Sequence, residues 1–73
     1  MKWQTAKQAA EQATGRTPRW CDVRDEQDQL APAPIPEALD DCVALDVHGN
    51  RTTIDRWINN VPCGEDVEAV CYF

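Results

Sequence analysis

Residues 42–58 read CVALDVHGNRTTIDRWI, and this stretch decides the fold class. Val43, Leu45 and Val47 alternate with other residues, and a period of two is typical of a β-strand. The next three residues, His48-Gly49-Asn50, are turn residues that tolerate a positive φ angle. The pattern predicts a β-hairpin over residues 42–58, with the three alternating side chains on its buried face.

The second arm of this hairpin has two interpretations. Residues 51–58 continue with β-preferring side chains and can pair with the first arm. Thr53 is also a residue type that caps helices, and a short helix after it would carry Ile54, Trp57 and Ile58 on one side. The sequence leaves both alternatives open.

A final strand is predicted over residues 66–73. Pro62 and Gly64 are expected to break the chain before it. Two sets of side chains compete for its inward face, because only one set points inward in a sheet that is covered on one side. One set consists of Val70 and Tyr72, and the other of Val67, Ala69, Cys71 and Phe73.

The N-terminal segment has the period of a helix. Trp3, Ala6, Ala10 and Ala13 recur at steps of three and four, and Gly15 follows the last of them. Glycine at that place commonly ends a helix in the left-handed conformation. We therefore predict a helix over residues 3–14, with a narrow alanine stripe and with Trp3 providing most of its buried area.

The middle of the chain combines a short strand with a long loop. Alternation over residues 19–24 predicts the strand. Prolines at 32, 34 and 36 exclude a regular ladder from residues 25–41, which we expect to form an acidic surface loop. Leu30, Ile35 and Leu39 are expected to dock on the domain, and Pro36 to begin one short helical turn.

These elements predict an α+β fold in one domain over residues 1–73. Its helix packs on a three- or four-stranded, mainly antiparallel sheet. A chain of this length has a thin core, so we expect the three tryptophans, Trp3, Trp20 and Trp57, to supply much of the buried area.

The compartment is predicted from the start of the chain and from its cysteines. Residues 1–5 are not followed by the apolar run of a secretory signal, and no stretch approaches the ~20 apolar residues of a membrane span. We therefore expect a cytoplasmic protein with no membrane contact and four reduced cysteines, Cys21, Cys42, Cys63 and Cys71. The alternative is a mature secreted chain in which these cysteines form disulfides.

Catalytic and metal-binding patterns are weak. His48 is the only histidine and the chain has no serine, so a Ser-His pair is excluded. The cysteines lack the close spacing of zinc ligands, although Cys63, Cys71 and His48 leave a zinc site geometrically possible. We predict a protein that is not an enzyme and needs no cofactor or metal.

The charge distribution supports a binding function. The net charge is −6, and residues 21–46 hold eight acidic residues against Arg24 alone, whereas residues 1–20 carry a local charge of +3. Such an acidic region attracts cationic surfaces. We expect a partner protein with a basic surface and no direct nucleic-acid binding. By analogy of size and charge, the role can be that of a phage-type inhibitor similar to anti-CRISPR proteins. The expected contact residues are Asp22, Asp25, Glu26, Asp28, Glu37, Asp40 and Asp41.

A second hypothesis comes from a local resemblance. Residues 5–11, TAKQAAE, with residues 15–20, GRTPRW, resemble the opening of small winged helix-turn-helix regulators of the excisionase kind. This resemblance implies a recognition helix after the turn, a wing over residues 43–58 and DNA binding. The sequence departs from the family at Asp22, Asp25 and Glu26, which would place acids on a helix that faces phosphates.

Overall fold

A computed structural model describes residues 1–34 and 36–73. Ile35, one of the three residues expected to dock on the domain, lies outside the described residues. The elements within these ranges are the helix α1 (Trp3–Thr14), a 3₁₀ turn (Pro36–Asp40) and six strands: β1 (Trp20–Val23), β2 (Cys42–Leu45), β3 (Arg51–Thr52), β4 (Arg56–Ile58), β5 (Val61–Cys63) and β6 (Ala69–Tyr72).

Helix α1 has the predicted bounds. It ends at Gly15, whose φ of 72° is left-handed and whose N–H donates to the Glu11 carbonyl at 2.7 Å. Ala6 and Ala10 are completely buried, which lets the helix approach its neighbours closely. Trp3 is 38% exposed and is not among the residues that pack against the core beneath the helix, which differs from its expected role as the main buried side chain of α1. Its ring lies under the Lys7 ammonium group, 5.8 Å from the ring centre, on the outer side of the helix.

The main sheet has four antiparallel strands in the order β1-β6-β2-β3. β6 is central, and all four of its residues are buried. Cys71 pairs with Cys21 on one side and with Val43 on the other. The predicted α+β fold, with a helix on a small antiparallel sheet, is confirmed.

Both faces of this sheet are covered, which answers the question of the inward side chains of β6. The helix face packs against α1, and its buried residues are Ala6, Ala10, Cys21, Val43, Leu45, Ala69 and Cys71. The opposite, loop face contains Leu30, Ala44, Val67, Val70 and Tyr72. The premise of a sheet covered on one side is wrong, because the proline-rich loop and the β4–β5 hairpin cover its second face. Residues from both competing sets are therefore buried.

The predicted hairpin over residues 42–58 is shorter than expected. β3 contains only two residues, and β4 pairs instead with β5 in a separate two-stranded sheet. Asn59 and Asn60 both have positive φ, 51° and 65°, which is the conformation of a tight two-residue hairpin turn. The alternative helix after Thr53 is wrong, and Pro62 lies within β5, which pairs with β4 in a sheet of two described strands.

Val47 also departs from its prediction. It is 63% exposed, because the chain leaves β2 at Leu45 and turns. The Asp46 carboxylate fixes this turn by accepting hydrogen bonds from the N–H groups of His48 (2.8 Å) and Asn50 (2.9 Å). The strand therefore ends two residues earlier than the sequence pattern indicates.

The proline-rich loop docks on the domain through Leu30, which is buried in the loop-face core as expected. Leu39 is half-buried. The Ala33 N–H donates to the Asn60 carbonyl at 2.8 Å, which joins the loop to the tip of the β4–β5 hairpin. The helical turn predicted at Pro36 is present.

The cysteines differ from the expectation of four thiols. Cys21 and Cys71 form a disulfide between β1 and β6, whereas Cys42 and Cys63 are free. The two bonded residues face each other across antiparallel strands beneath α1. The prediction of reduced cysteines is therefore wrong for this pair in the structure.

Candidate functional site

The seven predicted contact residues do not form one cluster. β1 and β2 both run antiparallel to β6, so Trp20 and Cys42 lie at the same end of the sheet. The acids that precede β2 lie at this end, whereas Asp25, Glu26 and Asp28 follow β1 and lie at the opposite end. We call Trp20, Asp22, Glu37 and Asp40 the Trp20 end, and residues 25–29 the far loop.

In the far loop, two of the three acids contribute to the loop itself. The Asp25 carboxylate accepts hydrogen bonds from the N–H groups of Gln27 (2.9 Å) and Gln29 (3.0 Å). Asp28 has a φ of 61° and lies 3.8 Å from the Arg24 guanidinium. Glu26 is exposed, and its carboxylate has no hydrogen bond or ion pair with any residue in the described ranges.

Asp41 is held by a structural ion pair. The Arg16 guanidinium donates two hydrogen bonds to its carboxylate, at 2.9 and 2.8 Å. These bonds hold the pKa of Asp41 below its ordinary value, and the charges of Arg16 and Arg19 lower it further. Arg16 also stacks on Phe73, 4.5 Å from the ring centre. Asp41 therefore joins the end of α1 to the start of β2.

Glu37 and Asp40 are exposed at the Trp20 end. They are three residues apart in the 3₁₀ turn, and side chains at this spacing lie on the same side. Within the described part of the chain, neither carboxylate has a cationic or hydrogen-bonding partner. The turn therefore presents two uncompensated negative charges.

Trp20, Asp22 and Tyr72 form the polar centre of this end. Trp20 is 49% exposed, against the expectation of a core residue, and its indole Nε1–H donates to Asp22 Oδ1 at 2.9 Å. The Asp22 Oδ2 atom and the Tyr72 hydroxyl are both buried without a hydrogen-bond partner among the described residues. Burial raises the pKa of Asp22 against the opposing Trp20 hydrogen bond. Burial also raises the pKa of Tyr72, with smaller contributions from Asp22 and Cys42.

Three arginines between α1 and the far loop have structural partners. In addition to Arg16, the Arg19 Nε donates to the Phe73 carbonyl at 2.6 Å, and the Arg24 Nε donates to the Val67 carbonyl at 2.8 Å. The helix-turn-helix resemblance also requires a second helix after residue 18, where the structure has β1 and a turn. That part of the resemblance is wrong.

The groups considered for catalysis lie apart. His48 is exposed in the β2–β3 turn and lines two open grooves. One, of about 410 Å³, has no carboxylate or thiol in its described lining, and the other, of about 400 Å³, is shared with Asp46, Glu65, Asp66 and Glu68. Burial, followed by the charges of Asp41 and Asp40, raises the pKa of the Cys42 thiol, which disfavours the reactive thiolate. Among residues 1–34 and 36–73, no group of three His, Cys, Asp or Glu side chains is arranged to hold a metal ion.

Sequence reasoning selected Asp22 for its charge and missed the two aromatic residues beside it. Trp20 and Asp22 are two residues apart in a strand, which places them on the same face. Tyr72 lies on this face as well because it is the cross-strand partner of Trp20. The first relation was available from the sequence, whereas the second depends on the pairing of β1 with β6.

In the described ranges, no helix has the length and apolar character needed to cross a membrane. No protein-family model, curated protein or solved structure matches this chain.

Proposed function

We propose that this chain is a non-enzymatic domain that binds the basic surface of a partner protein through its Trp20 end. The observation that supports this proposal is the combination of a half-exposed tryptophan with exposed, unpaired carboxylates at one end of the sheet. Tryptophan is enriched among residues that dominate binding energy, and charges around such an anchor favour a complementary partner and speed its association.

The overall charge is consistent with this function. The chain has 13 acidic and 7 basic residues, and the described residues contain two ion pairs. Most of the negative charge is therefore not neutralised within the fold. The far loop adds to the long-range attraction of a cationic partner, although Asp25 and Asp28 also serve the loop structure.

The cytoplasmic location and the inhibitor role are narrower parts of the proposal. A disulfide such as Cys21–Cys71 is typical of oxidising compartments, so a cytoplasmic location requires this pair to be reduced in the cell. The inhibitor role rests on size and charge alone. Protein binding is the part that the geometry of the Trp20 end supports.

The experiment compares three baits in an affinity pull-down from nuclease-treated host lysate. The first is the unchanged protein, the second is Glu37→Gln with Asp40→Asn, and the third is the charge-matched control Glu65→Gln with Asp66→Asn, which changes two exposed acids between β5 and β6. We expect the first and third baits to capture a protein that the second bait does not capture. Added salt should release this protein from both baits. Equal capture by all three baits, or capture only without nuclease treatment, contradicts the proposal.

A further inference from the structure

Two buried side-chain oxygens, Asp22 Oδ2 and the Tyr72 hydroxyl, lack hydrogen-bond partners among the described residues. Cys21 and Cys71 point toward α1, so their neighbours Trp20, Asp22 and Tyr72 share the loop face of the sheet. We call these three side chains the Trp20 notch. Tyr72 is 2% exposed, yet its hydroxyl has no partner in the described structure.

Unpaired polar atoms of this kind are uncommon, because burying a polar atom without a hydrogen-bond partner costs free energy. The Asp22 Oδ2 atom needs a hydrogen-bond donor, and the Tyr72 oxygen can accept a hydrogen bond. Trp20 adds the face of an indole ring, which attracts cations. All three groups are therefore complementary to a positively charged N–H donor.

We infer that the Trp20 notch binds one lysine or arginine side chain of the basic partner. The inference rests on the proposed function and names its central contact. The ammonium or guanidinium group donates hydrogen bonds to Asp22 Oδ2 and to the Tyr72 oxygen, while the indole of Trp20 packs against the alkyl part.

Access to the notch requires Trp20 to move. The two unpaired oxygens are buried, whereas the indole beside them is half-exposed and is held to Asp22 by one hydrogen bond of 2.9 Å. Rotation of this side chain about its χ angles opens the carboxylate without changing the strand. The indole N–H of Trp20 therefore reports directly on occupation of the notch.

The experiment is an NMR titration of the whole protein with N-acetylargininamide and N-acetyllysinamide. N-acetylcitrullinamide, which lacks the charge, is the control ligand. The indole N–H signals of the three tryptophans are assigned from Trp20→Phe, Trp3→Phe and Trp57→Phe variants. We expect the Trp20 signal to shift and saturate with the cationic ligands, with little change at Trp3 or Trp57 and little effect of the control ligand.

Two variants test the oxygens without removing the tryptophan. Asp22→Asn keeps an acceptor for the Trp20 indole but removes the charge, and Tyr72→Phe removes only the hydroxyl. We expect each variant to weaken the binding of N-acetylargininamide by about tenfold, and Glu37→Gln with Asp40→Asn to weaken it much less. Amide spectra check that each variant is folded.

The outcomes separate this inference from the proposed function. If neither cation shifts the Trp20 signal, or if both oxygen variants bind as the unchanged protein does, the notch is not the binding site. The pull-down result can still support an acidic protein-binding end in that case. If the notch binds cations but no partner depends on Glu37 and Asp40, the inference stands and the proposed function is wrong.

Discussion

The two faces of the central sheet are built in different ways. On the helix face, a regular helix packs through Ala6 and Ala10 on strands that a disulfide joins, and the Arg16–Asp41 pair fixes the end of that helix. On the loop face, a proline-rich loop and a two-stranded hairpin provide the cover. The unpaired oxygens of Asp22 and Tyr72 belong to this second side.

This difference follows from how the helix on one face and the irregular loop on the other satisfy their polar groups. A helix pairs its own backbone groups, so small apolar side chains are sufficient for its contact with the sheet. An irregular loop must find a partner for each polar group separately. Incomplete pairing on the loop face lowers stability and leaves groups available to a ligand. We therefore expect the stability of the fold to depend mainly on the helix face, whereas the proposed binding site lies on the loop face.

Removing the disulfide should have the largest effect on stability. Cys21→Ala with Cys71→Ala frees a loop whose ends are 50 residues apart, and the chain-entropy model gives a loss of about 4 kcal/mol in the free energy of unfolding. Urea unfolding measures this loss.

The control for the disulfide is Cys42→Ala with Cys63→Ala, which should change the free energy of unfolding by about 1 kcal/mol or less. Intact mass provides an independent check, because the unreduced protein should be about 2 Da lighter than the reduced protein. Equal masses would show that the pair is reduced in the purified protein.

Gly64→Ala should produce the next largest loss, this time on the side of the loop face. An added Cβ would lie 2.7 Å from both the Thr53 carbonyl oxygen and a Val67 methyl group. Backbone atoms cannot yield as a flexible side chain can, so we expect a loss of about 1–3 kcal/mol in urea unfolding.

Gly15→Ala is the matched change at the end of α1. Nothing lies within 4 Å of its added Cβ, so only the left-handed φ of 72° opposes the substitution. We expect a loss of about 1 kcal/mol. If Gly64→Ala is no more destabilising than Gly15→Ala, the loop face is less tightly packed than the structure indicates.

Much of the fold was predictable because it depends on local patterns. Gly15 and the alanine stripe define α1, and the turn at Gly49 defines the β2–β3 connection. The central position of β6 was not predictable, because antiparallel pairing between residues 50 positions apart leaves no local signal. The same pairing brings Tyr72 beside Trp20, so the sequence identified Asp22 only by its charge.

Tyr72→Phe should act in the opposite direction from the preceding substitutions. It removes a buried hydroxyl without a partner and keeps the ring in the loop-face core. We expect the free energy of unfolding to increase by about 1 kcal/mol. Together with weaker cation binding, this increase would show that the hydroxyl serves binding at the cost of stability. A clear loss of stability would mean that the hydroxyl has a partner in solution.

The smallest predicted effect is on the pH dependence of the free energy of unfolding. Asp41 and Asp22 contribute to this dependence with opposite signs. The Arg16 hydrogen bonds lower the pKa of Asp41, so its stabilisation is present above the ordinary pKa and is lost as the pH falls through the lowered value. Burial raises the pKa of Asp22, so the folded state holds its proton more tightly than the unfolded chain. The contribution of Asp22 to the free energy of unfolding therefore decreases as the pH rises from its ordinary pKa through its raised pKa.

Urea unfolding between about pH 3 and pH 7 separates the two contributions. Asp41→Asn should reduce the loss of stability at the acidic end of this range. Asp22→Asn should remove a destabilising contribution at the upper end, where the carboxylate is ionised and one of its oxygens is unpaired. The difference between Asp22→Asn and the unchanged protein should therefore grow with pH, whereas an unchanged pH profile would show that solvent already satisfies this oxygen. The Trp20 notch requires a desolvated carboxylate. An unchanged pH profile would therefore also weaken the case for a specific basic side chain at this site.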